Sequence, residues 1–330
     1  MRSRFTFAFI LAAVLLAISA WPSDSRAQTS IPRVGIINVG AATDDSRAGP
    51  RLEVVRRALS TQGWIDGRTV SFEMRNARGD PSRFAAAASE LARLKVDVIW
   101  ADSASALRAI YAATRAIPIV ASDFTSDPVA AGYIQSYGRP GGNVTGVFLD
   151  APEFSGKWLE LLRAMVPGLS RVAVLWDPSP GAAHLKALQA IAPSFGVQLQ
   201  VLEVRKPEDI DAAASRFRGR PQALITLPSA MMVAENARVV RLAMKQRLPA
   251  TSIVRVFAET GGVVSYGPDQ VEVAERLAVF VTKILRGAKP GDLPIERPTR
   301  FELVVNLKAA KALNLTIPES VLAGADKVIR

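Results

Sequence analysis

Apolar and polar residues alternate along this chain in a pattern that occurs twice. Apolar runs are spaced regularly in each part, at 33–40, 69–75, 96–101 and 117–122 and again at 171–176, 197–204, 223–227 and 250–254. Between the runs, apolar residues recur at helical spacing, as from Phe84 to Leu94. Runs such as Val34-Gly-Ile-Ile37 are nearly all apolar, which indicates strands covered on both faces. We predict an α/β fold with two doubly wound parallel-sheet lobes joined by a three-crossing hinge.

Glycine-rich segments lie where the chain is expected to pass between the lobes. One precedes the extended segment ending at Phe148, a second is Gly261-Gly262, and a third crossing is expected near Glu296 to Arg300. We predict lobe 1 at residues 28–146 plus 267–294 and lobe 2 at 147–266 plus 295–330. Gly146, Gly262 and Val264 are the hinge candidates, because glycine supplies the dihedral freedom that a hinge needs. Ordinary tight turns are the alternative for each glycine.

The N-terminus has the pattern of an export signal. Met1-Arg-Ser-Arg4 is followed by an apolar run over 5–20, and Ser25-Arg-Ala27 places small residues before a cleavage point after Ala27. The alternative is a membrane anchor, but the run is shorter than the ~20 residues that span a bilayer. We predict a signal peptide at 1–27 and a mature protein in the periplasm.

Composition narrows the function classes. The chain has no cysteine, which excludes thiol chemistry, Cys-ligated zinc and a lipid-anchored cysteine at the cleavage point. The signal carries three arginines and one aspartate, so the formal charge of +11 falls to +9 in the 303 mature residues. These charges are spread along helix faces without a basic run, which favours a solvated surface. We expect no nucleic-acid partner and a monomer.

Catalytic signatures are missing from the sequence. It has neither the Gly-x-Gly-x-x-Gly dinucleotide fingerprint nor a phosphate-binding Gly-x-x-x-x-Gly-Lys-Ser/Thr loop. His184 is the only histidine, so it offers no multi-histidine metal site, and we expect it on a helix surface. We predict no enzyme, no cofactor and no metal, although catalysis by carboxylates alone stays open.

Ligands of open parallel sheets bind beyond the carboxyl ends of the strands. This rule, with Tyr266 after a hinge segment, selects Asn38, Gly40, Asp102, Ser103, Ser105, Asp123, Phe124, Thr125, Trp176, Asp177, Ser179, Pro228, Ser229 and Tyr266. Helix N-termini near Ser103 and Ser179 suit a carboxylate, and the aspartates suit an ammonium group. The aromatic residues suit an apolar side chain. A purely structural role as helix N-caps is the alternative, above all for Asp177 and Ser103.

Several motifs together resemble the ABC-transporter substrate-binding family that includes tryptophan- and tyrosine-binding proteins. They are Asp127-Pro-Val-Ala-Ala-Gly132, Arg139-Pro-Gly-Gly-Asn-Val-Thr-Gly146, Gly156-Lys-Trp-Leu-Glu-Leu-Leu162, Gly261-Gly-Val-Val-Ser-Tyr-Gly-Pro268, Ile284-Leu-Arg-Gly-Ala-Lys-Pro290 and Pro298-Thr-Arg-Phe-Glu-Leu-Val-Val-Asn-Leu-Lys308. The resemblance implies a type I periplasmic-binding-protein fold and delivery of a solute to a membrane permease driven by a separate ATPase. It carries over no ligand signature at Asp102 to Ser105 or Asp123 to Thr125.

The sequence thus predicts the periplasmic solute-binding component of an ABC import system. Its two lobes are expected to close on a small ligand, an amino acid or an aromatic or carboxylated metabolite. Two alternatives stay open: a ligand-sensing partner of a membrane receptor, which the same fold serves, and a secreted enzyme that uses carboxylates.

Overall fold

The computed structural model describes residues 31–38, 50–77, 81–149 and 152–330. The predicted signal peptide at 1–27 and the ligand candidate Gly40 lie outside these residues. Across the described ranges, no helix is both long enough and apolar enough to cross a membrane.

Twelve strands alternate with helices over these residues. The strands are β1 (Arg33–Asn38), β2 (Ser71–Asn76), β3 (Val98–Ala101), β4 (Ile119–Asp123), β5 (Val144–Phe148), β6 (Arg171–Trp176), β7 (Gln198–Glu203), β8 (Ala223–Thr226), β9 (Ala250–Ser252), β10 (Val264–Pro268), β11 (Phe301–Asn306) and β12 (Lys327–Ile329). They lie close to the runs that the hydrophobic pattern predicts.

The helices also follow the predicted alternation. They are α1 (Pro50–Thr61), α2 (Pro81–Leu94), α3 (Ala104–Ala113), α4 (Pro152–Met165), α5 (Ala183–Ile191), α6 (Pro207–Ala212), α7 (Ala230–Ala234), α8 (Asn236–Lys245), α9 (Arg255–Glu259), α10 (Gln270–Leu285), α11 (Leu307–Ala312) and α12 (Glu319–Ala323). Short 3₁₀ turns at Ala192–Phe195 and Ala213–Arg216 continue α5 and α6.

The first sheet is parallel throughout, with strand order β2-β1-β3-β4-β5. One face is covered by α2 and α3, whose Phe84, Leu91 and Leu107 are buried against it. The other face is covered by α1 and by α10, which returns from much later in the chain and buries Leu277 and Phe280. We call this sheet with α1, α2, α3 and α10 lobe 1.

The second sheet has the order β12-β11-β10-β9-β8-β6-β7. With the helices other than those of lobe 1, it forms lobe 2, which has one continuous apolar core. Its pairs are parallel except β10 with β11, which the returning C-terminal segment forms antiparallel. The predicted fold class, two α/β lobes built on parallel sheets, is confirmed. The antiparallel pair is a feature that the hydrophobic pattern did not predict.

Three chain segments run between the sheets side by side. β5 is followed by α4 on the second sheet, β10 is followed by α10 on the first, and the last segment leads into β11. The Phe148 amide donates to the Glu296 carbonyl at 2.9 Å, and the Asp269 amide donates to the Arg300 carbonyl at 3.0 Å. The third segment therefore hydrogen-bonds to both of the others. The residue boundaries of the lobes stay a prediction.

Two of the hinge candidates are glycines in crowded positions. Gly146 in β5 has a φ of +139°, and a Cβ atom there would lie 2.0 Å from the Ala121 carbonyl oxygen of β4. A Cβ atom on Gly262 would lie 2.1 Å from the Phe257 ring. Val264, the third candidate, is buried in β10. At Gly146, both the dihedral angle and the close approach of β4 require glycine.

We expect Gly146→Ala to lower the free energy of unfolding by about 2–4 kcal/mol, because the methyl group meets backbone atoms that cannot rotate away. Urea denaturation followed by circular dichroism measures the loss. Gly63→Ala is the matched control, since Gly63 also has a positive φ (+89°) but has no atom within 4 Å of the added Cβ. It should cost only about 1 kcal/mol. Equal losses in the two variants would contradict the steric explanation.

Candidate ligand-binding site between the lobes

A cavity of about 610 Å³, counting the part open to solvent, lies between the two lobes. Its walls are the segments that follow β3 and β4 in lobe 1 and β8 and β9 in lobe 2, which are the carboxyl ends of parallel strands. The described residues that line it are Asp102, Ser103, Ala104, Ser105, Ser122, Asp123, Phe124, Thr125, Pro180, Pro228, Ser229, Ala230, Val233, Ile253, Val254 and Gln270.

The segment after β3 combines a helix cap with a carboxylate. The Ser103 hydroxyl accepts a hydrogen bond from the Ala106 amide at 3.2 Å and so caps α3. Asp102 accepts one from the Ser122 hydroxyl at 2.7 Å, which links the ends of β3 and β4. Ser103 therefore has the structural role that the sequence left open, and it also lines the cavity.

Asp123 at the end of β4 organises the neighbouring turn. Its side chain is 1% exposed, and its carboxylate accepts hydrogen bonds from the Thr125 amide at 2.7 Å, from the Thr125 hydroxyl at 2.6 Å and from the Ser126 hydroxyl. Burial raises the pKa of this carboxyl group above its ordinary value, while the hydrogen bonds act in the opposite direction. The turn that carries Phe124 into the cavity wall is thus held by Asp123 from within lobe 1.

The lobe 2 wall repeats the arrangement of lobe 1. Ser229, after β8, accepts a hydrogen bond from the Met232 amide at 3.1 Å and caps α7, much as Ser103 caps α3. Ile253 and Val254, after β9, add an apolar surface. The cavity therefore has a capped helix start on each side and apolar side chains beside both.

Two hydrogen bonds join the lobes beside the cavity. Arg108 on α3 donates from Nη1 to the Ser179 carbonyl at 2.6 Å. His184 Nε2 on α5 lies 2.5 Å from the Phe124 carbonyl oxygen. Since each bond joins a lobe 1 residue to a lobe 2 residue, the cleft in this structure is closed.

The prediction that His184 lies on a helix surface is wrong. Its side chain is 4% exposed, and its ring stacks against Trp158 with centroids 6.1 Å apart. Burial lowers the pKa of His184 from 6.5 to about 4, which keeps the imidazole neutral at pH 7. In sequence, His184, Leu188 and Ala192 are spaced four residues apart, and all three are buried. That spacing places the histidine on the apolar face of α5.

Several predicted ligand residues do not line the cavity. Trp176 donates from Nε1 to the Gly181 carbonyl at 3.1 Å, and Tyr266 stacks on Phe301 at 5.9 Å between centroids. Asp177 accepts hydrogen bonds from the Ser179 amide and hydroxyl, so it stabilises its own turn.

Ser179 reaches the lobe contact only through its carbonyl, and Asn38 ends β1, paired with Asn76. Ser103, Ser105, Asp102, Asp123, Phe124, Thr125, Pro228 and Ser229 are the candidates that the structure brings together.

The sequence reasoning missed other lining residues, notably Pro180, Val233 and Gln270. Gln270 begins α10, far along the chain from the other lobe 1 residues, and strand order alone does not place it. The signal that could have found it is the Asp269 cap, whose carboxylate accepts from the Val271 amide at 2.9 Å and marks a helix start at a crossing.

The ionisable groups of the described cavity wall are carboxyl groups. Asp102 and Asp123 carry carboxylates, and the lining residues that the structure describes include no lysine or arginine. Across the same described ranges, no cluster of three histidine, aspartate or glutamate side chains could hold a metal ion. The wall can therefore accept hydrogen bonds from an ammonium group. The start of α3, a ten-residue helix, offers a positive dipole end to a carboxylate.

Known proteins are similar to this chain over most of its length. The tyrosine-binding protein of Clostridioides difficile (strain R20291) is 25% identical over 263 residues, which cover 78% of this chain and 75% of the relative. A structure described as an ABC domain from Streptococcus pneumoniae in complex with L-Trp superimposes with a TM-score of 0.80 at 24% identity, covering 91% of this chain and all of that one. A ligand-free, open substrate-binding protein from Clostridium difficile gives 0.61 at 24% identity, covering 91% and 99%.

The two-lobed architecture is that of the type I periplasmic binding proteins. The family model described as ABC transporter substrate binding protein matches residues 40–329, nearly the whole chain. The chain belongs to the ABC transporter substrate-binding protein family.

Proposed function

We propose that this protein is the solute-binding component of an ABC import system and that it delivers a small ligand to a membrane permease. The observation that carries the proposal is the cavity between the lobes, whose wall combines the strand ends of both sheets. A ligand that contacts both walls stabilises the closed form over the open one, and the permease distinguishes the two forms. The N-terminal signal pattern supports a location in the periplasm.

The proposed ligand is an amino acid or a related aromatic or carboxylated metabolite. Asp102 would accept from its ammonium group, and the start of α3 would bind its carboxylate. Phe124, Ile253 and Val254 would cover an apolar side chain. The names of two relatives, one binding tyrosine and one solved with L-Trp, agree with this class.

A thermal-shift screen of the purified mature protein against amino acids, aromatic acids and other metabolites tests the proposal. The protein is first unfolded and refolded to remove any ligand that it carries. A true ligand at 100 times its dissociation constant should add ~2.7 kcal/mol of stability. A selective shift by one group of compounds is expected. A broad panel without any shift would argue against amino-acid binding.

Replacing Asp102 tests the contact with an ammonium group. For a ligand found in the screen, we expect Asp102→Asn to weaken binding by ~1.5–3 kcal/mol in isothermal titration calorimetry, because a charged hydrogen bond is lost. The asparagine still accepts from Ser122, so the turn is preserved. Asp97→Asn is the matched control. Asp97 precedes β3, the strand that Asp102 follows, and lies at the end of β3 away from the cavity, where its carboxylate accepts from the Arg33 amide. Equal changes in binding free energy in the two variants would contradict a contact between Asp102 and the ligand.

A further inference from the structure

His184 is the one histidine of the chain, and it is buried where the two lobes meet. Its hydrogen bond to Phe124 crosses from α5 of lobe 2 to the turn after β4 of lobe 1. A carbonyl oxygen only accepts, so Nε2 must carry the hydrogen. The contact therefore fixes both the tautomer of the imidazole and the position of the opposite lobe.

The carbonyl that His184 binds belongs to the wall of the ligand cavity. Asp123, Phe124 and Thr125 all line that cavity, and the Asp123 carboxylate holds their turn from within lobe 1. His184 holds the same turn from lobe 2. Separation of the lobes must break the hydrogen bond of His184, because His184 and Phe124 belong to different lobes. The hydrogen bonds of Asp123 stay intact, because they lie within lobe 1.

We propose that His184 is a positioning residue that couples lobe closure to the cavity wall through the Phe124 carbonyl, so that protonation of its imidazole favours the open form. The proposal rests on the proposed function, in which closure accompanies binding. It assigns the histidine no contact with the ligand.

One face of the imidazole packs against an aromatic ring, and its Nε2 is hydrogen-bonded to the Phe124 carbonyl. Trp158 stacks on it, and the Trp158 indole donates to the Tyr266 carbonyl at 3.0 Å, which fixes that ring within lobe 2. The helix α4 packs on α5, and the described ionisable side chains on these two helices and in the turns after β4 and β6 are Lys157, Glu160, Arg163, Lys186, Asp123 and Asp177.

Those side chains are engaged within their own segments or exposed. Asp123 accepts from Thr125 and Ser126, and Asp177 accepts from Ser179. Lys157 and Glu160 pair with each other at 2.9 Å on the surface of α4. A charge on the imidazole in the closed form would therefore be formed at the cost of its burial.

The sign of the pH dependence follows from the difference between the pKa of His184 in the closed form and its pKa in the open form. In the closed form, burial lowers the pKa of His184 to about 4. We take lobe separation to expose the ring to water, which returns its pKa toward ~6.5. The closed form thus binds fewer protons, so closure is fully favoured above the open-form value and is lost as the pH falls below it. Between pH 7.5 and pH 5, the ratio of closed to open protein should fall by about 30-fold.

The experiment measures closure without a ligand. Because the chain has no cysteine, spin labels can be attached at Ser89→Cys on α2 and Arg241→Cys on α8, two exposed positions in different lobes. Double electron–electron resonance at pH 7.5 and pH 5 then gives the populations of the closed and open forms. The full mature chain is used, without a histidine tag.

His184→Gln is the decisive variant, because glutamine can donate the same hydrogen bond but does not titrate in this range. We expect the closed-to-open ratio of the parent protein to fall with pH and that of His184→Gln to stay constant. His184→Ala, checked for folding by circular dichroism, should be more open at both pH values. If the parent and His184→Gln respond alike, whether both change or neither does, the proposal is overturned.

Proton NMR provides a second measurement that needs no variant to fold. The single histidine gives one set of imidazole signals, and its midpoint should lie below 6.5. Where the spin labels show that the closed form dominates at neutral pH, a midpoint at the ordinary value would also overturn the proposal. Neither readout uses a ligand, so a failed ligand screen would contradict only the proposed function, and a failed pH experiment would contradict only the role of His184.

Discussion

Covering both faces of a parallel sheet with helices leaves the strand ends as the place where polar side chains can meet a ligand. This protein has two such sheets with their carboxyl ends turned toward one cavity. The constraint explains why most lining residues come from short segments after β3, β4, β8 and β9. It also explains why helix caps and ligand candidates coincide, since Ser103 and Ser229 each begin a helix at a strand end.

The chain segments that connect the two lobes constrain how the lobes can move relative to each other. Three chain segments cross side by side, and the third hydrogen-bonds to both of the others. We expect the lobes to move relative to each other by bending at these segments. Across the cleft, by contrast, the polar contacts described here are the Arg108 and His184 hydrogen bonds. Free-energy changes at either of these contacts can therefore shift the balance between the closed and open forms.

The fold was predictable from sequence because buried parallel strands and amphipathic helices have distinct periods. Local strand-end rules also found much of the cavity, including Asp102, Asp123 and Phe124. They do not decide side-chain direction: Trp176 ends β6 and Tyr266 lies within β10, and both contact neighbours in lobe 2. They failed as well where distant segments meet, as at Gln270. His184 differs from the expectation because the apolar face of α5, which includes Leu188, determines its burial more than its own polarity does.

The central claim is that ligand binding closes the two lobes around the cavity. The label pair on Ser89→Cys and Arg241→Cys tests it most directly, with the distance distribution recorded at neutral pH in the absence and presence of a saturating ligand from the screen. The account predicts that the ligand removes the open population and leaves one narrow, closed distribution. An unchanged distribution with fully bound ligand would contradict the claim, because binding would then not depend on contacts from both lobes.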